Sequence, residues 1–356
     1  MKYFVSAGEI SGDMHLSHLI ENIKKINQDA EFYGAAGSCS VKKGVNIIQD
    51  IDELAVMGFK EIFGKIAFFK NKMNDYVEFI KENKIKNVIM VDYGGFNLAF
   101  LKILKKEIKE IKVFYYIPPK LWVWGKWRIK KLALADYILA IFPWEKEFYR
   151  ENGIEAVYFG NPLVDINEVV AEKGDKILLL PGSRRQELKE IIPVMNETAK
   201  KLTNKKFLLK AADKKLLSYF TDMADNIEIT TTMTLEECAA KSYCAVAASG
   251  TVTLELALMG VPSVVVYKTS LFNELVARMI LKIKYVSLPN IVKNEEIFKE
   301  LLQKNMKTEK IMEEINNIEK NYFDIKEKLS DMREILGNKD VIYKYGEFIV
   351  NNSIEN

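Results

Sequence analysis

The sequence predicts an α/β fold with two Rossmann-like, doubly wound domains, each a parallel sheet with helices on both faces. Three observations lead to this prediction. The chain has 356 residues, which is more than one hydrophobic core usually accommodates. Short apolar runs alternate with longer amphipathic stretches along nearly the whole chain, as expected for repeated strand–helix units. The alternation stops at NPLVDINEVVAEKGDK and then restarts, so we place the boundary near residue 168, between domains 1–168 and 169–356.

Each predicted element follows from its local pattern. The predicted strands are short apolar runs at residues 2–6, 31–35, 87–92, 112–117, 137–141, 156–159, 176–180, 206–210, 226–230, 244–248 and 262–267. The predicted helices have apolar residues at helical spacing and lie at 13–27, 73–83, 97–109, 145–152, 186–203, 234–242 and 252–259. After about residue 295 the chain is rich in lysine and glutamate. There we expect terminal helices with solvated charge, the last of them able to pack back on the first domain.

Composition excludes several classes of protein. The 52 Lys and Arg residues against 49 Asp and Glu give a net charge of +3, a balance that argues against nucleic-acid binding. Three cysteines without CxxC spacing are expected to be reduced thiols of a cytoplasmic protein: Cys39, Cys238 and Cys244. Only two histidines occur, so we expect no histidine-rich metal site, and no cofactor. The run MKYFVSAGEISGD is expected to be a first strand rather than a signal peptide, and no apolar stretch approaches the roughly 18 residues of a membrane span.

The stretch LLLPGSRRQELKEIIP (residues 178–193) joins an apolar strand to a helix through a positively charged turn. Gly182 makes the turn, Ser183 is expected to cap the helix, and Glu187 lies in its first turn. Free amide groups and the positive end of the helix dipole favour an anion at this point. Arg184 adds planar, charge-assisted donors that match phosphate oxygens. A capped helix with exposed arginines is the alternative to a diphosphate site.

A second turn of this kind lies in VAASGTVTLELALMGVPSVVVY (residues 246–267). Gly250 allows a ligand to approach the backbone, and Ser249 and Thr251 can donate to phosphate at the start of the helix. Glu255 lies one turn further on, where its carboxylate can accept from ribose hydroxyls. A plain capped strand–helix unit is the alternative. Two anion-suited turns in one half of the chain favour nucleotide binding there.

The turn after the first strand, SAGEISGDMHLSHLI, has a G-x-x-x-G spacing. This motif is weak, and a simple strand–helix turn explains it equally well. Because the turn follows the first strand, we expect it at the carboxyl edge of the sheet, in the cleft between the two domains. The residues expected in this cleft are Gly8, Glu9, Ser11, Gly12 and Asp13.

The stretch NVIMVDYGGFNLAF (residues 87–100) ends a buried strand with Asp92. Hydrophobic packing explains poorly a carboxylate that is followed by Tyr-Gly-Gly. At the floor of a cleft such a carboxyl group can have a raised pKa and act as a general base. A helix-capping aspartate is the alternative.

Two stretches, 57–73 and 115–132, mix aromatic with basic residues. This mixture suits the headgroup region of an anionic bilayer or an acylated phosphate ligand. An amphipathic core helix or a packed loop explains each stretch equally well. The candidate contacts with the acceptor or the membrane are Phe59, Phe63, Phe68, Phe69, Trp122, Trp124, Lys126 and Arg128.

Many ordered blocks together resemble the lipid-A-disaccharide synthase family, which are glycosyltransferases of the GT-B type. The blocks are AGEISGD (7–13), ELAVMGFKEIFG (53–64), VDYGGFN (91–97), LWVWGKWRIKK (121–131), FPWEKEFYRENGI (142–154), GNPLVD (160–165), LLLPGSRRQE (178–187), ASGTVTLE (248–255) and KYVSLPNIV (284–292). Their number and order make the resemblance specific, whereas SGT-x-x-x-E alone would indicate only a nucleotide-sugar enzyme. The resemblance implies two doubly wound domains facing across a cleft, followed by C-terminal helices.

The resemblance also implies an activity in the biosynthesis of lipid A. A 2,3-diacylglucosamine unit would pass from UDP-2,3-diacylglucosamine to 2,3-diacylglucosamine 1-phosphate, giving a β-1,6-linked disaccharide 1-phosphate and UDP without a metal. Asp92 matches the family's essential aspartate and Arg184 its essential arginine. Ser249 to Thr251 with Glu255 match the uridine-diphosphate site, and Asn290 matches the asparagine of SLPN.

By the same resemblance, the first domain binds the acceptor and an anionic membrane surface, and the second binds the UDP-sugar. The expected location is the inner face of the cytoplasmic membrane, with peripheral attachment. A homo-oligomer is one option for assembly, and no nucleic-acid partner is expected.

Three positions depart from the family pattern. Gly94-Gly95 replaces the part of the D-x-P-D-F-N block that carries a second acidic residue, so the role of that carboxylate is absent or supplied elsewhere. The usual GHP is Gly160-Asn161-Pro162, which removes a histidine. The block S-P-S-x-W-A-W reads PPKLWVW at 118–124.

Two other functions fit the same two-domain scaffold. A non-hydrolysing UDP-sugar 2-epimerase would use histidine as well as carboxylates, and it would leave the basic-aromatic stretches unexplained. A non-catalytic lipid- or nucleotide-binding homologue is the second alternative, and Gly94-Gly95 is its best support.

Overall fold

The chain folds into two compact units. The computed structural model describes residues 1–51, 62–170, 173–268 and 284–355, with only the backbone described for 62–66. The first unit consists of Met1–Pro162 together with Gly337–Asn356, and the second is Leu163–Leu336. The division therefore falls after Pro162, a few residues before the boundary predicted near residue 168. Residues 337–356, which were predicted to belong to the second domain, belong to the first unit.

The first unit is built on a parallel sheet. Its strands are β1 (Lys2–Ser6), β2 (Glu31–Ala36), β3 (Val45–Asp50), β4 (Asn87–Val91), β5 (Lys112–Tyr116), β6 (Tyr137–Ala140) and β7 (Val157–Tyr158). They lie in the order β3-β2-β1-β4-β5-β6-β7, and every neighbouring pair is parallel. Parallel strands need crossover connections, and helices provide most of these.

The helices of this unit pack on the sheet through apolar side chains. They are α1 (Ile10–Ile26), α2 (Ser38–Val41), α3 (Ile62–Glu82), α4 (Gly94–Glu107), α5 (Ile129–Leu132) and α6 (Pro143–Glu151). Phe4 of β1 contacts Tyr76 of α3 and Phe100 of α4, with ring centroids 5.2 and 5.8 Å away. These buried rings belong to the core that fixes α4 on the sheet, and with it the turn that precedes α4.

The second unit repeats this architecture. Its strands are β8 (Lys176–Leu180), β9 (Lys206–Lys210), β10 (Ile227–Thr230), β11 (Ser242–Ala248), β12 (Ser263–Tyr267) and β13 (Lys299–Leu302), in the parallel order β10-β9-β8-β11-β12-β13. Its helices are α7 (Leu163–Ile166), α8 (Arg185–Lys201), α9 (Leu235–Ala240), α10 (Thr251–Leu258), α11 (Leu288–Lys293), α12 (Thr308–Lys320), α13 (Tyr322–Ser330) and α14 (Met332–Leu336). A search of the described residues of both units finds no helix that is long and apolar enough to span a bilayer.

Both sheets reverse their winding direction once, and these points position the functional residues. The reversal lies between β1 and β4 in the first sheet and between β8 and β11 in the second. In open parallel sheets, ligands bind at such switch points, outside the carboxyl ends of the strands. Asp92 follows β4, the turn at 181–184 follows β8, and the turn at 249–250 follows β11. The stretches singled out in the sequence therefore follow strands that border the switch points.

Two edge strands were not predicted. Val45–Asp50 pairs only with β2, and its exposed residues break up the apolar run that would mark a strand. Lys299–Leu302 pairs only with β12 and lies in the Lys/Glu-rich stretch for which helix was predicted, so that prediction was wrong there. Edge strands tolerate charged residues because one side faces solvent. They therefore lack the apolar run by which a strand is predicted from sequence.

The last helix, α15 (Val341–Asn351), completes the first unit by packing against α1. Its Tyr345 is fully buried, and the hydroxyl donates to the carbonyl oxygens of Ala140 and Gly160, the latter at 2.9 Å. The amide of Phe159 donates to the same hydroxyl at 3.2 Å. One phenol therefore ties α15 to the end of β6 and to the residues that follow β7.

We expect Tyr345→Phe to lower the free energy of unfolding of the first unit by about 2 kcal/mol, because three buried backbone groups lose a partner. Urea unfolding followed by tryptophan fluorescence measures this unit selectively, since all four tryptophans lie within residues 122–144. Tyr343→Phe, on an exposed tyrosine of the same helix, is the control and should leave stability within about 0.5 kcal/mol. Equal stability of the two variants would contradict the assigned role of Tyr345.

Candidate active site

The turn after β4 holds Asp92 in an unusual backbone conformation. Asp92 and Tyr93 both have left-handed φ values, 44° and 45°. The amide of Asp92 donates to the carbonyl of Tyr116 at 3.2 Å, and its own carbonyl accepts from the hydroxyl of Tyr115 at 2.8 Å. Left-handed residues other than glycine cost energy and persist where the surrounding structure imposes them. Neighbouring strand β5 supplies both of these hydrogen bonds.

Asn97 joins this turn to the end of β1. Its buried amide nitrogen donates to the carbonyl oxygens of Ser6, Val91 and Asp92, at 3.2, 3.3 and 3.0 Å. The hydroxyl of Ser6 donates to the Asn97 side-chain oxygen at 2.7 Å. The ends of β1 and β4 are thereby fixed where the strand order reverses.

The electrostatics of Asp92 suit a general base. Its side chain is half-buried, and burial raises the pKa to about 6, with a further upward contribution from Glu9. The ammonium of Lys120 and the amide of Tyr93 act in the opposite direction. A carboxyl group with a pKa near 6 is ionised at neutral pH and is basic enough to accept a proton during a reaction.

Two charged residues, Lys120 and Glu145, interact electrostatically, and the sequence analysis did not predict this. Glu145 is fully buried and accepts from the amides of Ile141 and Phe142 at 3.0 and 3.1 Å. Lys120 interacts electrostatically with both Asp92 and Glu145. Glu145 lies three residues after Phe142, in the first turn of α6, and this spacing is the local signal that could have identified the glutamate. The electrostatic interaction with Lys120 has no local signal.

Of the five residues predicted in the first turn, four lie near the switch point and one has a different role. The ring of Tyr93 stands against Gly8, and Gly12 is buried against Val91. Glu9 is exposed and precedes α1, and Ser11 is half-buried.

The prediction that Asp13 lies in a ligand-binding cleft was wrong. Its buried carboxylate accepts from the amides of Gly37, Cys39 and Ser40 at 2.8, 2.9 and 3.3 Å. Both oxygens are therefore engaged by the backbone at the start of α2. Asp13 stabilises the loop after β2 instead of contributing to a ligand site.

In the second unit, the turn after β8 presents the start of α8. Gly182 has φ +97°, and a Cβ at this position would meet the carboxylate of Glu187 at 2.5 Å and Ala248 at 3.4 Å. Arg184 is the N-cap of this helix, so the cap predicted for Ser183 was wrong. Arg184 is 71% exposed, and its guanidinium lies 3.3 Å from Glu187. The guanidinium pairs with Glu187 and is still mostly accessible to an anion from solvent.

The turn after β11 lies beside it, because β8 and β11 are paired in register. Gly250 is the N-cap of α10, and no described atom lies within 4 Å of the place where its Cβ would stand. Within the described ranges, neither α8 nor α10 has a side chain that caps its first amides. Ser249 and Thr251 flank Gly250 and are half-buried. Two adjacent helix starts whose first amides no side chain caps are suited to an anion such as a phosphate group.

Glu255 lies one turn into α10 and is half-buried. Burial raises its pKa to about 7, and Glu236 contributes in the same direction. A carboxyl group in this state exchanges between donor and acceptor near neutral pH. Both forms can hydrogen-bond to sugar hydroxyls.

The prediction that Asn290 contributes to the nucleotide site was also wrong. Its side-chain nitrogen donates to the carbonyl of Phe298 at 2.7 Å and to Glu300 at 2.9 Å, and its oxygen accepts from the amides of Ile297 and Phe298 at 2.9 Å each. The residue is fully buried. Its hydrogen-bonding groups are occupied by the chain, so it orders the segment before β13 and does not offer a group to a nucleotide.

The predicted aromatic and basic contacts separate into packed and exposed residues. Phe59 and the side chain of Phe63 lie outside the described residues. Phe68 and Phe69 are half-buried, and Phe69 packs against Phe96 of the core with ring centroids 5.7 Å apart, so its predicted role was wrong.

Trp122 and Arg128 are also engaged by the fold. The indole of Trp122 donates to Glu145 at 3.0 Å, and Arg128 donates to the carbonyl of Gly94. Trp124 and Lys126 are exposed, and their contact with the acceptor or the membrane stays a prediction. Trp127, which the prediction omitted, is 67% exposed, and its ring centroid lies 4.9 Å from that of Trp124.

Two solved structures share the fold over nearly the whole chain. A UDP-N-acetylglucosamine 2-epimerase from Neisseria meningitidis, bound to UDP-GlcNAc, aligns with a TM-score of 0.62 at 14% identity, covering 99% of this chain and 100% of the other. A spinosyn rhamnosyltransferase aligns with a TM-score of 0.64 at 11% identity, covering 98% and 100%. Identities this low show the fold alone, which is of the GT-B type.

Sequence relatives are closer. The lipid-A-disaccharide synthase of Nitrosococcus oceani is 33% identical over 335 residues, covering 88% of this chain and 86% of the relative. That of Myxococcus xanthus is 34% identical over 345 residues, covering 89% and 88%. The family described as lipid-A-disaccharide synthetase matches residues 3–351. The chain therefore belongs to the lipid-A-disaccharide synthase family of glycosyltransferases.

Proposed function

We propose that this chain transfers 2,3-diacylglucosamine from UDP-2,3-diacylglucosamine to the 6-hydroxyl of 2,3-diacylglucosamine 1-phosphate, with inversion at the anomeric carbon. The observation that carries the mechanism is Asp92, a carboxyl group with a pKa of about 6 at the switch point of the first sheet. Family membership supports the substrate class.

The second unit binds the donor in this proposal. The diphosphate lies against the amide groups at the starts of α8 and α10, and Arg184 supplies a guanidinium from the adjoining turn. Negative charge develops on the diphosphate as the glycosidic bond breaks. Preorganised dipoles and a cation at that position stabilise the transition state more than the ground state.

The first unit activates the acceptor. Asp92 removes the proton from the 6-hydroxyl while the hydroxyl oxygen attacks the anomeric carbon. The bond from that carbon to the diphosphate oxygen breaks, and its electron pair leaves with UDP. Asp92 becomes neutral and later releases its proton to solvent. A single displacement of this kind inverts the configuration and gives the β-1,6 linkage.

Contact with an anionic membrane is the second part of the proposal, since both substrates carry acyl chains. Trp124 and Trp127 are 44% and 67% exposed and form an edge-to-face pair at 4.9 Å, with Lys126 between them in the chain. We define Trp124, Lys126 and Trp127 as the tryptophan patch. Exposed indoles next to a cation suit the headgroup layer at the inner face of the cytoplasmic membrane, with peripheral attachment.

The epimerase alternative rests on the shared fold. His15 is buried in α1, and burial lowers its pKa to about 4, which disfavours it as an acid at neutral pH. Incubation with UDP-N-acetylglucosamine distinguishes the two activities, because an epimerase forms the 2-epimer without an acceptor.

Asp92→Asn should reduce kcat by about 10²–10⁴-fold, the usual contribution of a general base, and leave UDP affinity within about twofold. UDP release from both acylated substrates, followed by mass spectrometry, measures turnover, and calorimetry measures UDP binding. Asp29→Asn removes an exposed carboxylate elsewhere in the same unit and is the control. Normal turnover by Asp92→Asn would remove Asp92 from the mechanism. UDP binding without turnover by the unsubstituted chain would support a non-catalytic homologue.

Arg184→Ala should lower kcat/KM by about 10²–10³-fold and weaken UDP binding at least tenfold, because the diphosphate loses a charge-assisted partner. Lys200→Ala removes one positive charge from the exposed far end of the same helix and should change neither value. If the two variants bind UDP equally well, Arg184 does not contact the diphosphate.

Replacing both Trp124 and Trp127 by alanine should reduce co-sedimentation with phosphatidylglycerol-containing vesicles about tenfold or more, because two interfacial aromatic anchors are lost. The control is Phe323→Ala, which removes a 79%-exposed aromatic ring from the second unit. Equal vesicle binding by the double variant and the control would exclude the tryptophan patch as the membrane contact.

A further inference from the structure

The segment that includes β5 and the loop after it carries charge of one sign. Between Glu110 and Asp136 the chain has six basic residues and no acidic one. The basic residues are Lys112, Lys120, Lys126, Arg128, Lys130 and Lys131. The loop follows the carboxyl end of β5, and positive charge without nearby acidic residues attracts anions to such an edge. The four lysines of the loop are exposed, whereas Arg128 is half-buried.

The local backbone directs Arg128 towards the turn that carries Asp92. Gly125, with φ +87°, precedes a single 3-10 turn, Lys126–Arg128, and its carbonyl accepts from the Arg128 amide at 2.8 Å. A Cβ at position 125 would lie 3.1 Å from the Cδ of Arg128, so glycine leaves room for the arginine side chain. The guanidinium donates to the carbonyl of Gly94, the first residue of α4. Arg128 is therefore held two residues from Asp92.

The guanidinium keeps most of its donors for a ligand. Within the described part of the chain its hydrogen bond to Gly94 uses one of its five N–H donors, and no ion pair of the described residues includes it. Space is open beside this contact, because no described atom lies within 4 Å of the place of a Cβ on Gly95. A planar guanidinium with unused donors matches two oxygens of a phosphate group.

We propose that Arg128 binds the 1-phosphate of the acceptor and determines the specificity for a phosphorylated acceptor sugar. The inference rests on the proposed function, in which Asp92 receives the 6-hydroxyl of the same sugar. The 6-hydroxyl and the 1-phosphate leave different sides of the sugar ring. Contacts at Asp92 and Arg128 therefore hold the ring at two points and keep the hydroxyl beside the base. Because Gly94 already holds the guanidinium, little side-chain freedom is lost when the phosphate binds.

Two acceptors that differ only in the phosphate test this inference: 2,3-diacylglucosamine 1-phosphate and 2,3-diacylglucosamine. UDP release at saturating UDP-2,3-diacylglucosamine gives kcat/KM for each acceptor. The unsubstituted chain should prefer the phosphorylated acceptor. Arg128→Met should remove about 10- to 100-fold of that preference, the range for a hydrogen bond to a charged group, by lowering kcat/KM for the phosphorylated acceptor alone.

Two further variants sharpen the comparison. Arg128→Lys keeps the charge but loses the planar pair of donors, so it should retain part of the preference. Lys130→Met removes an exposed charge two residues further on and should retain all of it. If Arg128→Met does not fold, Arg128→Gln takes its place.

Three results would overturn the inference. Equal losses with both acceptors in Arg128→Met would mean that the arginine only shapes the Asp92 turn. An unchanged preference in Arg128→Met would remove it from the acceptor site. Weaker binding of Arg128→Met to phosphatidylglycerol vesicles, with the preference intact, would assign the arginine to a lipid headgroup instead.

Failure of the proposed function gives a different result. If the unsubstituted chain releases no UDP with either acceptor, the proposed function fails and this inference fails with it. If the unsubstituted chain turns over the phosphorylated acceptor and Arg128→Met keeps the same preference, only the role of Arg128 is lost.

Discussion

The geometry of the first unit depends on one buried amide. Asn97 donates to carbonyl oxygens at the ends of β1 and β4 and in the turn that follows. A parallel sheet brings these strand ends to one edge, but it does not by itself fix the turn that follows β4. Asn97 satisfies three of them at once. The left-handed Asp92 and Tyr93 are stable because this network and the bonds from β5 leave the backbone no other arrangement.

The two units prepare charge in opposite ways. In the first unit, burial and Glu9 raise the pKa of Asp92, and Lys120 lowers it. In the second, amides at two helix starts lack partners within the described residues, and an anion is favoured there. Leaving an N-cap unfilled costs a helix about 1 kcal/mol. In the proposed donor complex, a bound diphosphate would return part of that free energy.

Much of this arrangement could be predicted from the sequence, and the failures have a common cause. Strand ends followed by small or charged residues correctly predicted strand–helix turns after β4, β8 and β11, because those signals are local. Asp13 and Asn290 were misassigned because their partners are backbone amides up to 27 residues away or in an irregular loop. The electrostatic environment of Lys120 includes Glu145, which lies 25 residues later on α6. No sequence periodicity connects these two residues. The charged edge strand β13 was not predicted because its local sequence pattern resembles that of a solvated helix.

The Gly94-Gly95 departure has two different physical meanings. Gly94 is required by sterics, because Pro119 occupies the space of a side chain there. Gly95 is not, since no described atom lies within 4 Å of its virtual Cβ, and a carboxylate would fit. A second negative charge so close to Asp92 would raise its pKa further, whereas this chain omits that charge and places Lys120 nearby. Both differences lower the pKa of Asp92 against the effect of burial. They keep the Asp92 carboxyl group mostly ionised at neutral pH, which is the state that the proposed proton transfer requires.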